Sequence, residues 1–199
     1  IDNGRKVRTL TQDSWMEGVT RSYSHYKSPA REKGTKMLKI GGKLWMYTPR
    51  TDRKILIAGH LLRQSMMGSD LSYEDMMEDH KLSNAYAATL EGYEDFEGTR
   101  LAILHLIAYD KKTTYQTRKA WINPNNKTVL KEERFAKSGK ILKRILFKDY
   151  EEIAGRIFPR TMIFKDLLKK NTKTTYKFDV IEFDIEIPGR YFSQSILKR

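Results

Sequence analysis

Leu101-Ala102-Ile103-Leu104-His105-Leu106-Ile107-Ala108-Tyr109 is apolar at every position but His105. The run is far short of the ~18 residues that a membrane-spanning helix needs. A strand with this composition is apolar on both faces, so it is covered on both sides or turns one side to a ligand. Working outward, period-two alternation recurs. Val129–Phe135 and Ile141–Phe147 flank Ser138-Gly139, a hairpin turn signal. Thr35–Ile40 and Leu44–Tyr47 flank Gly41-Gly42, and Arg160–Leu168 and Thr174–Ile187 flank Lys170-Asn171-Thr172. About eight to ten strands, mostly hairpin-linked, predict an antiparallel sheet or barrel rather than βαβ units. Helix signals are sparse. The best is Ser72-Tyr73-Glu74-Asp75, a capping box opening a short helix through about Asp79.

The chain has 199 residues, enough for one core, with 39% hydrophobic and 32% charged residues. Twelve Gly and five Pro exclude collagen-like and low-complexity classes. The net charge of +13 is uneven. Residues 1–100 hold 16 bases and 14 acids, residues 101–199 hold 22 and 11, and Asp70–Glu97 carries nine acids against one base. A basic half can meet nucleic acid, an anionic membrane surface or an acidic protein, or be simply a solvated face. Lys111–Lys173 would need an exposed aromatic platform to hold nucleic acid. Phe135, Ile145, Phe147, Phe158 and Phe164 instead follow strand alternation, which points to core or cavity, so nucleic acid is not expected as a partner.

Catalytic chemistry finds little support. Cysteine is absent, which excludes disulfides, thiol catalysis and Cys-based zinc sites. His25, His60, His80 and His105 form no i,i+4 pair, and GxSxG, P-loop and GxGxxG motifs are missing. Ser69 and Asp70 are adjacent and cannot form a nucleophile–base relay without a placed His; they read as a turn before a cap. No cofactor, metal or catalytic residue is expected.

A sheet with few helices must cover its second face. Leu61–Met77 holds Met66, Met67, Met76 and Met77, half of the eight methionines. Flexible thioethers suit a surface accepting variable apolar shapes, and equally an ordinary core. This segment is the candidate lid over an apolar cavity.

The same segment resembles the outer-membrane lipoprotein-sorting protein family, the LolA/LolB-like proteins. Met67-Gly-Ser-Asp-Leu-Ser-Tyr-Glu-Asp-Met76 looks like the family's "MGSDFSYEDM", with Leu71 for the usual Phe. Ser28–Thr35 looks like its Pro-x-x-x-x-Gly-Thr element, and Lys43–Pro49 like its "LWMY-x-P" strand followed by a basic residue, here Arg53. Trp121-Ile122, Phe147–Tyr150, Gly155–Pro159 and Ile187–Ser193 fall in the family's order. The resemblance covers roughly residues 5–199. The family's N-terminal export signal and first segment are not matched, and the chain begins at Ile1.

The resemblance implies a mainly β fold over a single domain, 1–199: a strongly curved antiparallel sheet forming an incomplete, half β-barrel closed by a few short helices. It implies a periplasmic location, with anchoring to the outer membrane left open, and a non-catalytic carrier or receptor that binds lipoprotein acyl chains, or free lipid or fatty acid, in an apolar concavity. The residues assigned to the lining are Trp45, Tyr47, Met66, Met67, Leu71, Tyr73, Met76, Leu104, Leu106, Phe135, Ile145 and Phe164. Alternation alone leaves open which face of each strand points inward. The alternative is an interaction or envelope-sensor module on the same fold, docking its basic half on an acidic protein or anionic lipid.

Overall fold

The computed structural model describes residues 1–78 and 82–198. Their strands are β1 Thr11–Glu17, β2 Arg21–Ser28, β3 Lys36–Ile40, β4 Lys43–Thr48, β5 Arg53–Ile57, β6 Tyr86–Phe96, β7 Thr99–Ala108, β8 Thr117–Ile122, β9 Val129–Phe135, β10 Ile141–Ile153, β11 Arg156–Asp166 and β12 Thr174–Lys177. All pairings are antiparallel. Two open sheets result, ordered β1-β2-β3-β4-β5 and β12-β11-β10-β9-β8-β7-β6. The fold is thus mainly β, antiparallel and without a closed barrel among the described residues. Among the described residues helical structure is limited to one four-residue helix, α1 Leu82–Ala85, and short 3₁₀ turns.

The chain divides into two compact units, one of residues 6–80 and 185–199 with Ile1, the other of residues 2–5 and 81–184. In the first unit Gly41 closes the β3–β4 hairpin at φ +52°, a left-handed conformation that costs glycine little. Alternation sorts this sheet's side chains. Tyr23, Leu38, Trp45 and Tyr47 share one face, where Trp15, Ile40, Tyr191, Ile196 and the fully buried Leu197 join them. The C-terminal 3₁₀ turns Gly189–Phe192 and Gln194–Lys198 therefore cover this face. Met37, Lys39, Leu44 and Met46 line the opposite face.

The second unit is a hairpin meander. The expected hairpins are present, at Gly41-Gly42 in the first unit and at Ser138-Gly139 and Lys170-Asn171-Thr172 in the second. Two expectations need correcting. The strand expected over Thr174–Ile187 ends at Lys177. Beyond it Arg160 Nη1 takes the carbonyls of Phe178 and Asp179, and the chain leaves the ladder. The expected helix from Ser72 is one 3₁₀ turn, Glu74–Met77, while Asp79 and His80 lie outside the described residues.

Candidate functional site

In the first unit the structure separates the expected lining residues. Trp45 and Tyr47 lie in the Tyr23–Leu38–Leu197 cluster. The Met-rich segment lies on the other face, since Tyr73 directs its hydroxyl to Met46 Sδ at 3.6 Å. Lys39, 3% exposed, reaches the carbonyls of Met76 (2.8 Å), Val19 (2.9 Å) and Glu78 (3.5 Å) from that same face. Three carbonyls supply the hydrogen bonds that a buried ammonium needs.

The segment is a knot of local bonds rather than a helix. Met66 N–H donates to the Leu71 carbonyl, and Tyr73 N–H to that of Gln64. Ser72 N–H and Oγ–H both donate to Asp75 Oδ2, and Ser72 Oγ accepts from Asp75 N–H, so the capping box forms on a 3₁₀ turn. Met67 (φ +51°) and Gly68 (φ +74°) are both left-handed, and the Met67 carbonyl accepts from the Arg8 guanidinium. The left-handed φ favours glycine at position 68, where a Cβ would also stand 3.2 Å from that guanidinium. Met66 and Tyr73 are buried, while Met67, Leu71 and Met76 are half-buried.

In the second unit four of the five expected residues come together. Cross-strand register aligns Leu104, Ala120, Glu132, Ile145, Phe164 and Thr174 in one row. A neighbouring row holds Ala102 and Ile122, and Phe147, Met162 and Tyr176. On the other side of the first row stand Leu106, Arg118 and Arg134. Tyr86, Leu106 and Ala120 form a buried cluster extended by Leu104, Ile122 and Val129. Phe164 meets Tyr176 edge-on at 5.7 Å, and Phe158 meets Phe178 and Phe183 in the same way. Ile145 is buried, whereas Leu104, Phe147, Met162 and Phe164 keep part of their surface accessible. This apolar face is the candidate site.

Phe135 lies on the other face, with His105, Thr117 and Lys119 around a cleft of about 220 Å³. The cause is a bulge. Phe135 pairs with Ile141, but Arg134 pairs with Lys143, so one extra β10 residue intervenes. Unbroken alternation from the Ser138-Gly139 turn would set Ile145 on Phe135's face, and the bulge moves it across.

The sequence reading missed two features of the candidate face. One is the joining of Met162 and Tyr176 to Phe147, already expected in core or cavity, in one apolar row set by register. The other is ionic: Glu132 Oε1 accepts from Arg134 Nε at 2.7 Å and from Arg118 Nη1 at 3.0 Å. Arg118 Nε also donates to the Tyr86 hydroxyl, which donates to the Tyr115 carbonyl, both at 2.8 Å. Burial pushes the Glu132 acid up, but the charges and hydrogen bonds of Arg134 and Arg118 outweigh it and hold the carboxyl below its usual range. This network is satisfied internally and fixes β8 and β9.

A second cleft, of about 390 Å³, opens on the first unit among Asp13, Trp15, His25, Lys36, Arg190 and Tyr191. His25 there is held below its ordinary value by burial and by Lys27 and Lys36, against an opposing pull from Asp13.

A DUF1329 family protein from Desulfovibrio piger superimposes with a TM-score of 0.86 at 24% identity, over 98% of this chain and 86% of that one. An outer membrane lipoprotein-sorting protein domain from Vibrio parahaemolyticus gives 0.84 at 21%, over 99% and 87%. A LolA superfamily protein from Nitrosomonas europaea gives 0.76 at 22%, over 94% and 82%. The fold is LolA-like. No curated protein matches by sequence. A family model described as "Uncharacterized protein" matches residues 18–199, and the chain belongs to that family. At these identities the LolA-like neighbours show the architecture alone.

Proposed function

We propose that this LolA-like chain is a non-catalytic lipid carrier or receptor of the bacterial periplasm, binding acyl chains such as those of lipoproteins. The observation that carries the reading is the apolar face of the second unit. Leu104, Leu106, Ile145 and Phe164 gather there in adjacent rows with Phe147, Met162 and Tyr176, and several keep accessible surface. An acyl chain laid along these rows gains about 0.8 kcal/mol per buried CH₂. Ordering the chain and the flexible Met162 offsets part of that gain, which suits reversible handover. The fold supports the reading, since structures with sorting and LolA names share it over nearly the whole chain. On this reading both units serve one LolA-like domain and partners are lipids or lipidated proteins. In the first unit Trp45 and Tyr47 stand on one face of the sheet, while Met66, Met67, Leu71, Tyr73 and Met76 belong to the Met-rich segment on the other, the candidate lid.

The test is uptake of a fluorescent fatty acid by matched variants. Phe164→Asp should abolish uptake and Phe135→Asp should leave it near the parent level, with circular dichroism confirming that both fold. Loss in both variants or in neither refutes the assignment of the face. Leu71→Asp tests the Met-rich segment as a lid: loss of uptake supports that role, and unchanged uptake removes it.

A further inference from the structure

Strand direction in the second unit collects its turns at two ends, and their charges differ. At one end lie the β7–β8 loop, the β9–β10 turn, the β11–β12 turn and the segment Asp2–Arg5, which is bridged to Lys173. The loop supplies Lys111 and Lys112, and the β9–β10 turn supplies Lys137 and Lys140. The β11–β12 turn supplies Lys169, Lys170 and Lys173, and Arg5, Lys143 and Lys165 stand beside these turns. Ten bases thus meet three acids, Asp2, Asp110 and Asp166. Lys169 pairs with Asp166 and Lys173 with Asp2. Among the described residues no acid lies within ion-pair distance of Lys111, Lys112, Lys137, Lys140 or Lys170, all of them exposed.

The other end, at and beside the β6–β7 turn, the β8–β9 loop, the β10–β11 turn and the segment after β12, carries Asp95, Glu97, Asp149, Glu151, Glu152, Asp179, Glu182 and Asp184 against Arg100, Lys127, Lys148, Arg156 and Arg160. There Glu97 pairs with Lys148, Glu151 with Arg160 and Asp184 with Arg156. The sheet face between the ends is ion-paired as well, through Lys119–Glu91, Lys131–Glu94 and Arg144–Glu133. The excess positive charge of the C-terminal half is therefore concentrated at one end. Two large apolar side chains project among these lysines: Leu168, 59% exposed in the β11–β12 turn, and Tyr109, 67% exposed just after β7.

We propose that this end docks on an anionic lipid surface. Lysines on several separate turns match a plane of phosphate head groups, and Leu168 and Tyr109 are suited to the interfacial layer beneath them. The acidic end is repelled, so the charge polarity orients the unit as it approaches. The proposal stands on charge placement and is independent of whether the apolar face carries acyl chains.

Vesicle co-sedimentation of the full chain tests it, with phosphatidylcholine alone and with phosphatidylglycerol added. Binding should be at least about tenfold stronger to the anionic vesicles and should fall away at high salt. Lys137→Glu, Lys140→Glu and Lys170→Glu together should weaken it at least about tenfold, while the distal pair Arg100→Glu and Lys127→Glu should not. Leu168→Ser should weaken binding several-fold at fixed charge. Equal binding to neutral vesicles, or a triple variant that binds like the parent, overturns the proposal. Retention on polyglutamate without binding to anionic vesicles also overturns it and identifies an acidic polypeptide as the partner.

Discussion

Glu132→Gln isolates what the buried ionic network contributes. The Arg118 side chain is 2% exposed, and those of Glu132 and Arg134 are 8% and 11%. At 3.0 and 2.7 Å each arginine gains a gross Coulomb attraction of ~6 kcal/mol from the carboxylate at an effective dielectric of about 20. Desolvation of three charges cancels much of this, so the network as a whole adds little net stability. Removing the carboxylate alone is different, because it leaves two guanidinium groups facing each other out of water. The expected loss is about 3–5 kcal/mol. For a chain of this length that corresponds to a Tm lower by roughly 6–20 °C. Replacing all three members, as Arg118→Met, Glu132→Leu and Arg134→Met, should recover most of the loss, since no orphaned charge remains. Tyr86 would still donate to the Tyr115 carbonyl. The sign of the pH effect follows from the depressed carboxyl. Its contribution is complete above the unfolded value, about 4.3, and is lost as pH falls through the lower folded value. Urea unfolding of parent, single and triple variants near neutrality and at pH 3 reads all of this. A single variant within about 1 kcal/mol of the parent, or a triple variant less stable than the single, refutes the argument.

Leu197→Ala should cost about 2–5 kcal/mol, because this fully buried side chain fastens the C-terminal turns to Tyr23 and Leu38; denaturant unfolding measures it. Lys39→Met should release the Met-rich segment. Amide exchange over residues 66–78 should accelerate by at least about tenfold for the loss of charged hydrogen bonds worth roughly 1.5–3 kcal/mol, while the strands beneath stay protected. Gly34→Ala should destabilise, since φ is +83° and a Cβ would stand 2.9 Å from Pro49 Cγ; the Tm reports it. Burial pushes the phenols of Tyr23, Tyr150 and Tyr176 up to about 12, with Tyr191 adding to the effect at Tyr23 and a hydrogen bond to Val129 opposing it at Tyr150. Unfolded phenols ionise near 10, so stability should be intact below about pH 10 and fall between 10 and 12, as absorbance and fluorescence titrations would show.

Much of the fold was legible because its signals are local. Period-two alternation and the turn pairs Gly41-Gly42 and Ser138-Gly139 act within a few residues, and they gave antiparallel hairpins in their observed places. The Ser72–Asp75 box was legible for the same reason, although its helix stops after one 3₁₀ turn. The candidate site was less legible. Phe135 and Ile145 alternate as partners in the sequence, yet the bulge between Ile141 and Lys143 sets them on opposite faces. Trp45 and the Met-rich segment flank one sheet, but it is the contacts of Tyr73 with Met46 and of Lys39 with Met76 that put them on opposite sides of it.

The sequence by itself determined the strands, their antiparallel pairing and the surplus of positive charge, since each depends on residue type and short-range order. Only the tertiary structure decided the register across the second sheet, the union of Arg118, Glu132 and Arg134, and the gathering of lysines from separate turns at one end. Those arrangements bring together residues distant along the chain, and one inserted residue in a ladder reverses every side chain beyond it.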